Sequence, residues 1–165
     1  MWKRSRGLIR LRKPAAEAVI SSRIANRARI HLEGEDTGGA FDLVEVEGRR
    51  GDMPPLHVHH DHDETFLVTE GRISLHLPGR TVALGPGESC CAPRGVPHVY
   101  RVESRTARWF GIGNPPGFAD FVREASDLAR DDGFPPGDYV PDLERVGAAG
   151  ARQGIELLGP PGTMP

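Results

Sequence analysis

Residues 51–71 read GDMPPLHVHHDHDETFLVTEG and contain four of the seven histidines of the chain. His57 and His59 are two positions apart, so both side chains leave the same face of a β-strand. A strand that turns back a few residues later can place Glu64 beside them, and a neighbouring strand can add His98. Three neutral imidazoles and one carboxylate on rigid strands suit a divalent transition metal ion. The stretch therefore predicts a metal site.

Short apolar runs separated by turns continue through most of the chain. The 165 residues include 21 Gly and 15 Pro, which is typical of chains with many turns between short elements. No helical periodicity interrupts residues 40–113, so βαβ units are excluded in favour of an all-β barrel or sandwich. The runs that predict strands are residues 23–33, 40–47, 56–60, 65–69, 72–77, 81–84, 89–92, 98–102 and 108–112.

The pattern changes to helical spacing after residue 113. Apolar side chains recur at helical intervals from Phe118 to Ala129, and Pro141 opens a second short helix. Each helix has one apolar face, so we expect both to cover an end or edge of the barrel. The length of the chain suits one domain with a single core. We therefore expect a basic arm over residues 1–22, a barrel over 23–113 and a helical extension of the same domain over 114–165.

The charge of the chain is distributed unevenly. Residues 1–13 carry six basic residues and no acid, while the rest carries 15 basic and 23 acidic residues. Arginines interrupt the apolar residues of this arm, so a signal peptide is not expected, and no hydrophobic run is long enough to cross a bilayer. Nucleic-acid binding is not expected either, because no aromatic platform or nucleic-acid module follows the arm. We predict a cytoplasmic protein with a loosely docked or disordered arm.

The two cysteines and the other histidines have ordinary structural explanations. Cys90 and Cys91 are adjacent and alternate in direction along a strand, so a structural disulfide between them is not expected. The remaining histidines are expected to face solvent or the outer side of a strand; they are His31, His60, His62 and His76.

Nine positions at fixed spacing carry a resemblance to a known family. The first group is Gly51, His57, His59, Glu64 and Gly71, separated by five, one, four and six residues. The second group is Gly87, Pro93, Gly95 and His98, separated by five, one and two residues. Together they match the two motifs of the cupin superfamily. Val102 stands where the second motif often has Asn, a residue that is not one of the family's metal ligands.

More of the chain is similar to one subgroup of this family. Residues 24–161 resemble the small single-domain bacterial cupins of the quercetin 2,3-dioxygenase-like group, and this match is looser than that of the motifs. The resemblance implies a double-stranded β-helix, or jelly-roll barrel, with short C-terminal helices packed on it. It also implies one divalent transition metal ion, either Fe, Mn, Ni, Co, Cu or Zn, held by His57, His59, Glu64 and His98 in the mouth of the barrel.

The alternation of side chains along the strands predicts what lines the pocket beside this metal. Phe66 and Val68 share a strand face with Glu64. Tyr100 and Val102 share a face with His98, and Leu75 belongs to an apolar row on a neighbouring strand. The predicted pocket residues are Phe66, Val68, Leu75, Tyr100 and Val102. A mostly apolar pocket suits a flat aromatic molecule better than a sugar phosphate.

Three functions remain open. The resemblance favours a metal-dependent dioxygenase that acts on a flavonol-like or other enolisable substrate, with Glu64 as the base that accepts the substrate hydroxyl proton. The second is a non-oxidative isomerase, cyclase or lyase in which the metal acts only as a Lewis acid. The third is a small-molecule-binding protein without catalysis. We also expect a homodimer that pairs through an edge strand over residues 23–33.

Overall fold

The computed structural model describes residues 18–19, 26–128, 134 and 142–165. These residues form twelve strands and two helices. The strands are β1 (Ala18–Val19), β2 (Arg27–Leu32), β3 (Asp42–Arg49), β4 (Pro55–His59), β5 (Asp63–Glu70), β6 (Ile73–Leu77), β7 (Arg80–Leu84), β8 (Ser89–Ala92), β9 (Val99–Val102), β10 (Thr106–Asn114), β11 (Asp127–Leu128) and β12 (Ile155–Pro161). The helices are α1 (Phe118–Ala125) and α2 (Leu143–Arg152).

All of the strand pairs are antiparallel, and they build two facing layers. One layer is a seven-stranded sheet in the order β11-β1-β2-β3-β10-β5-β8. The other contains a three-stranded sheet, β7-β6-β9, and a two-stranded sheet, β12-β4. A bridge between His57 and His98 joins these two smaller sheets. The predicted all-β jelly roll is confirmed.

The core lies between the layers because the strands alternate inward and outward side chains. In β3, for example, Val44 and Val46 are buried, while Glu45 and Glu47 are partly exposed on the outer face. Each large apolar side chain that is fully buried contributes about 1.5–3 kcal/mol to folding. The main core cluster contains Ala28, Ile30, Val44, Val46, Phe66, Val68, Ile73, Leu75, Leu84, Ala92, Tyr100, Val102, Ala107, Trp109, Phe118, Ala119 and Val122.

The two helices pack as predicted, although their bounds differ. Phe118 and Val122 of α1 enter the main core, and Val146 of α2 packs with Ala125 of α1 in a smaller cluster. Helix α1 ends at Ala125, short of the predicted end, because the next residues pair with β1 as strand β11. The predicted end of the first helix at residue 129 and the predicted start of the second at residue 141 lie outside the described residues. None of the described helices is long and apolar enough to span a membrane.

The beginning of the chain differs from the expectation in two ways. Ala18–Val19, which we assigned to the basic arm, form strand β1, and the rest of the arm lies outside the described residues. Strand β2 begins at Arg27, and the predicted start at residue 23 lies outside the described residues. This strand lies between β1 and β3 instead of at a sheet edge. The edge that we expected to pair two subunits is therefore partly covered, and the homodimer stays a prediction.

Gly71, the last residue of the first motif, is required by the tight turn between β5 and β6. Its φ is 73°, in the left-handed region that residues with a side chain rarely adopt. A Cβ at this position would also collide with the carbonyl oxygen of Thr106. The turn therefore accepts only glycine.

Candidate metal centre

Two strands bring three histidines together. His57 and His59 lie on β4, and His98 lies directly before β9. The backbone of His57 and that of His98 exchange two hydrogen bonds, with N···O distances of 2.9 and 3.3 Å. In addition, the amide of Gly95, from the second motif, donates to the carbonyl oxygen of His59 at 2.7 Å. The backbone pairing thus holds the imidazoles of both motifs side by side.

Glu64 completes the group from the opposite layer. Its Oε2 atom lies 3.1 Å from Nε2 of His98 and 3.4 Å from Nε2 of His59. One donor atom from each of the four residues lies within 4.8 Å of all the others. We call His57, His59, Glu64 and His98 the His/Glu cluster. The structure therefore brings together all four residues that the sequence predicted, and the group could hold a metal ion.

Each imidazole of the His/Glu cluster is oriented through its other ring nitrogen. Nδ1 of His57 donates to the carbonyl oxygen of Pro55 at 2.8 Å, and Nδ1 of His98 donates to that of Val96 at 2.9 Å. Nδ1 of His59 lies 2.6 Å from Nε2 of His62. These contacts turn the three Nε2 atoms toward the centre of the cluster, and such partners fix the ring and the tautomer of a metal-binding histidine.

His62 was expected to face solvent, and this expectation is wrong. Its side chain is buried, with 1% exposure, because the turn after β4 directs it inward against the start of α1. Strand parity cannot predict this position, because residues in a turn do not alternate. His60, by contrast, is exposed as predicted and bonds to Glu156 of β12 at 2.9 Å.

Burial and mutual repulsion keep two of the imidazoles neutral. Burial is the main cause that lowers the pKa of His57 to about 4 and that of His59 to about 2, and the neighbouring imidazoles lower both further. Burial would raise the pKa of Glu64, but the hydrogen bond from His98 and the electrostatic effect of the nearby imidazoles, which favours the ionised carboxylate, lower it to about 2. Burial likewise opposes protonation of His98, yet Glu64 outweighs it, and the pKa of His98 is raised.

A cavity that is partly open to solvent adjoins the His/Glu cluster. His57, His59 and Glu64 form one part of its lining, and Asn26 and Tyr100 add polar groups. The rest is apolar and is called the cavity wall; it consists of Val46, Pro54, Pro55, Trp109, Phe118, Phe121, Val146, Ile155 and Leu157. The cavity can therefore bring an apolar molecule next to the cluster.

The predicted pocket is only partly the observed one. Of the five residues, Tyr100 lines the cavity, whereas the other four lie in the main core and do not line it; they are Phe66, Val68, Leu75 and Val102. The reason is that strand parity gives the face of a side chain but not its depth in the barrel. Phe66 instead packs edge-on against His98, with a ring separation of 6.2 Å, and so supports the cluster from the core.

Much of the cavity wall comes from residues that the sequence analysis did not assign to a site. Phe118 and Phe121 come from α1, Val146 comes from α2, and Ile155 and Leu157 come from β12, which pairs with β4. The apolar face of α1 was visible in the sequence, but what it covers was not. Gly111 and Gly113 of β10 permit the close approach of α1, since a Cβ at either would lie 2.8 Å from Phe118.

Comparison with known proteins relates this site to others. Residues 43–113 match the family model of the cupin domain. The chain is 33% identical over 129 residues to quercetin 2,3-dioxygenase from Bacillus subtilis (strain 168), a match that covers 70% of this chain and 38% of that protein. The chain thus spans well under half the length of this relative.

Solved structures show the same fold. A predicted oxalate decarboxylase from Thermotoga maritima superimposes with a TM-score of 0.55 at 17% identity, over 62% of this chain and 91% of that one. KdgF from Halomonas sp. superimposes with a TM-score of 0.50 at 22% identity, over 55% of this chain and 78% of that one. At these identities the likeness concerns the barrel alone.

Proposed function

This chain belongs to the cupin superfamily, and from that premise we propose that it is a metal-dependent dioxygenase acting on a flavonol-like or other enolisable aromatic molecule. The observation that carries the proposal is the position of the His/Glu cluster at an apolar cavity. The similarity to quercetin 2,3-dioxygenase supports the choice of reaction.

The residues of the cluster fit a divalent transition metal ion. The donor set is three imidazole nitrogens and one carboxylate oxygen, and the Nδ1 partners described above leave each Nε2 directed at the centre. When bound, such an ion supplies Lewis acidity and a site at which a substrate oxygen and dioxygen can meet. We propose His57, His59, Glu64 and His98 as its ligands; Fe, Mn, Ni, Co, Cu and Zn all suit this donor set.

The residues around the cluster have distinct tasks in this proposal. Glu64 is the proposed base, since its carboxylate lines the cavity and can accept the proton of a substrate hydroxyl there. The cavity wall excludes water from the reacting atoms and packs against an aromatic ring. His62 holds the ring of His59 in place.

The test is metal content together with oxygen uptake on one sample. Protein purified without a histidine tag should contain about one transition metal ion per chain by elemental analysis. The same preparation should consume oxygen in an electrode cell with at least one member of a panel of flavonols and other phenols, and chelated protein serves as the control. Turnover without oxygen uptake would assign the protein to the non-oxidative class, and binding without turnover would assign it to the binding class.

A further inference from the structure

Two polar side chains interrupt the otherwise apolar lining of the cavity. Asn26 lies directly before β2 and Tyr100 lies in β9. Nδ2 of Asn26 donates to the hydroxyl of Tyr100 at 2.6 Å, and this hydroxyl donates to Oδ2 of Asp52 at 3.3 Å. The three side chains therefore form a chain of hydrogen bonds in which Asn26 donates to Tyr100 and Tyr100 donates to Asp52.

This chain of hydrogen bonds fixes which way the Asn26 amide points. A tyrosine hydroxyl has one proton, and burial together with Asp52 raises the pKa of Tyr100 well above its usual value, so the proton is retained. Because the hydroxyl donates to Asp52, it must accept from Asn26, and only Nδ2 of the amide can donate. The amide oxygen, Oδ1, is then directed away from Tyr100.

Among the residues that the structure describes, Oδ1 of Asn26 has no hydrogen-bond partner, although the residue is only 2% exposed. A buried acceptor without a partner is uncommon and unfavourable, since it has lost its hydrogen bonds to water. The neighbouring cavity wall cannot supply a donor, because its side chains are apolar apart from the indole N–H of Trp109, which forms no bond to Asn26. A donor on a bound ligand would satisfy it.

We propose that Oδ1 of Asn26 accepts a hydrogen bond from a neutral hydroxyl or N–H group of the substrate, and so selects aromatic ligands that carry such a donor. The inference rests on the proposal that this cavity is the substrate site. An anionic group is disfavoured at this point, because it would meet the oxygen of the amide with Asp52 behind Tyr100.

The test compares two aromatic probes that differ in one donor. Indole and indene share a bicyclic shape, but indole has an N–H group where indene has CH2, and the neutral N–H is not a metal ligand. Their dissociation constants are measured by calorimetry or ligand-observed NMR on the full chain loaded with Zn²⁺. We expect indole to bind about tenfold more tightly, which corresponds to ~1.4 kcal/mol.

Two variants assign this preference to the Asn26 amide. In Asn26→Leu, which keeps the number and branching of side-chain heavy atoms but replaces both Oδ1 and Nδ2 with methyl groups, the ratio of the two constants should fall to about one. The control Val146→Ala removes apolar surface from the same cavity, so it should weaken both probes and leave the ratio unchanged.

The result on the unaltered protein decides the inference even if Asn26→Leu does not fold. Equal affinity for the two probes, or binding of neither, would overturn it, as would a tenfold preference that persists in folded Asn26→Leu. The outcome is separate from the proposed reaction: a preference for indole without oxygen uptake on any phenol would refute the dioxygenase and support the role of Asn26.

Discussion

The His/Glu cluster and the cavity wall adjoin each other but are specified in different ways. All four cluster residues lie within 42 positions of one another, on β4, on β5 and directly before β9. The cavity wall, by contrast, combines residues of distant elements, such as Phe121 of α1, Val146 of α2 and Leu157 of β12. Changes in the cluster should therefore act on metal binding and chemistry, whereas changes in the wall should act on the ligand alone.

The largest effect is expected for His98→Ala. It removes one of the four donors and leaves Glu64 without its closest imidazole, so metal content should fall from about one ion per chain to nearly none. The matched control is His60→Ala, which removes an exposed imidazole that bonds to Glu156 and should leave metal content unchanged. Elemental analysis of both variants checks this. Loss of metal from His60→Ala but not from His98→Ala would refute the assignment of the four ligands.

Glu64→Gln should separate metal binding from chemistry within the cluster. Glutamine retains an oxygen that can coordinate weakly but cannot act as the base, so part of the metal should remain. Turnover should decrease by at least the roughly 10²-fold typical of general-base removal. Metal occupancy and oxygen uptake are measured on one sample, and uptake close to that of the unaltered protein would exclude Glu64 as the base.

His62 tests whether the support of the cluster matters as much as its members. His62→Phe removes the partner of Nδ1 of His59 and should weaken metal affinity about 10–100-fold, as is usual when such a partner is lost. His62→Gln offers an amide oxygen to the same nitrogen and should restore part of the affinity. Competition titration with a chromophoric chelator measures both, and equal affinities in the two variants would argue against a hydrogen-bonding role.

Acid should lower the free energy of unfolding of the metal-free protein. His57 and His59 have pKa values of about 4 and about 2 in the folded chain, below the ordinary 6.5, so the unfolded chain binds protons that the folded chain does not. Their contribution to stability is present above pH 6.5 and is lost as the pH falls toward 4, at roughly 1.4 kcal/mol per pH unit for each histidine.

His98 and Glu64 do not reverse this trend. Because the pKa of His98 is raised, its contribution to the free energy of unfolding is already complete below pH 6.5. The contribution of Glu64, whose pKa is lowered, is lost only below pH 4.5. Urea unfolding of chelated protein between pH 7 and pH 4 measures the slope. A stability that stays constant or rises over this range would show that the two imidazoles are not buried in the neutral form.

The smallest effect is expected in the wall. Phe121 is partly buried and packs against Phe118 with a ring separation of 6.3 Å. Phe121→Ala therefore removes an aromatic ring from the cavity wall and leaves all four residues of the His/Glu cluster in place. Affinity for an aromatic ligand should fall about fivefold, in line with the loss of part of a buried aromatic contact. Metal affinity should be unchanged. Parallel titrations with metal and with indole check the separation, which fails if both affinities fall together.

Part of this fold was predictable because its signals are local. The alternation of Val44, Glu45 and Val46 shows a half-buried strand, and glycine at position 71 marks a turn that no other residue accepts. The spacing of His57 and His59 places two imidazoles on one strand face, and the motif resemblance adds Glu64 and His98. For these features the relevant neighbours are a few residues away or are fixed by the pairing of adjacent strands.

Other features required the whole structure, because they depend on which distant elements meet. Parity placed Phe66 on the correct face, but only the packing of both layers shows that it lies in the core and not at the cavity. His62 is buried because a turn and the start of α1 enclose it. The unpaired oxygen of Asn26 depends on a hydrogen bond to Tyr100, 74 positions away.

The amino-acid sequence by itself thus determined the class of fold and the placing of His57 and His59 on one strand face, since strand alternation and turn geometry act over short distances. The resemblance of its motifs added Glu64 and His98. The tertiary structure decided the shape and polarity of the cavity and the partner of each ring nitrogen. These depend on how residues far apart in the chain pack and on the depth at which each side chain is buried, and neither spacing nor composition contains that information.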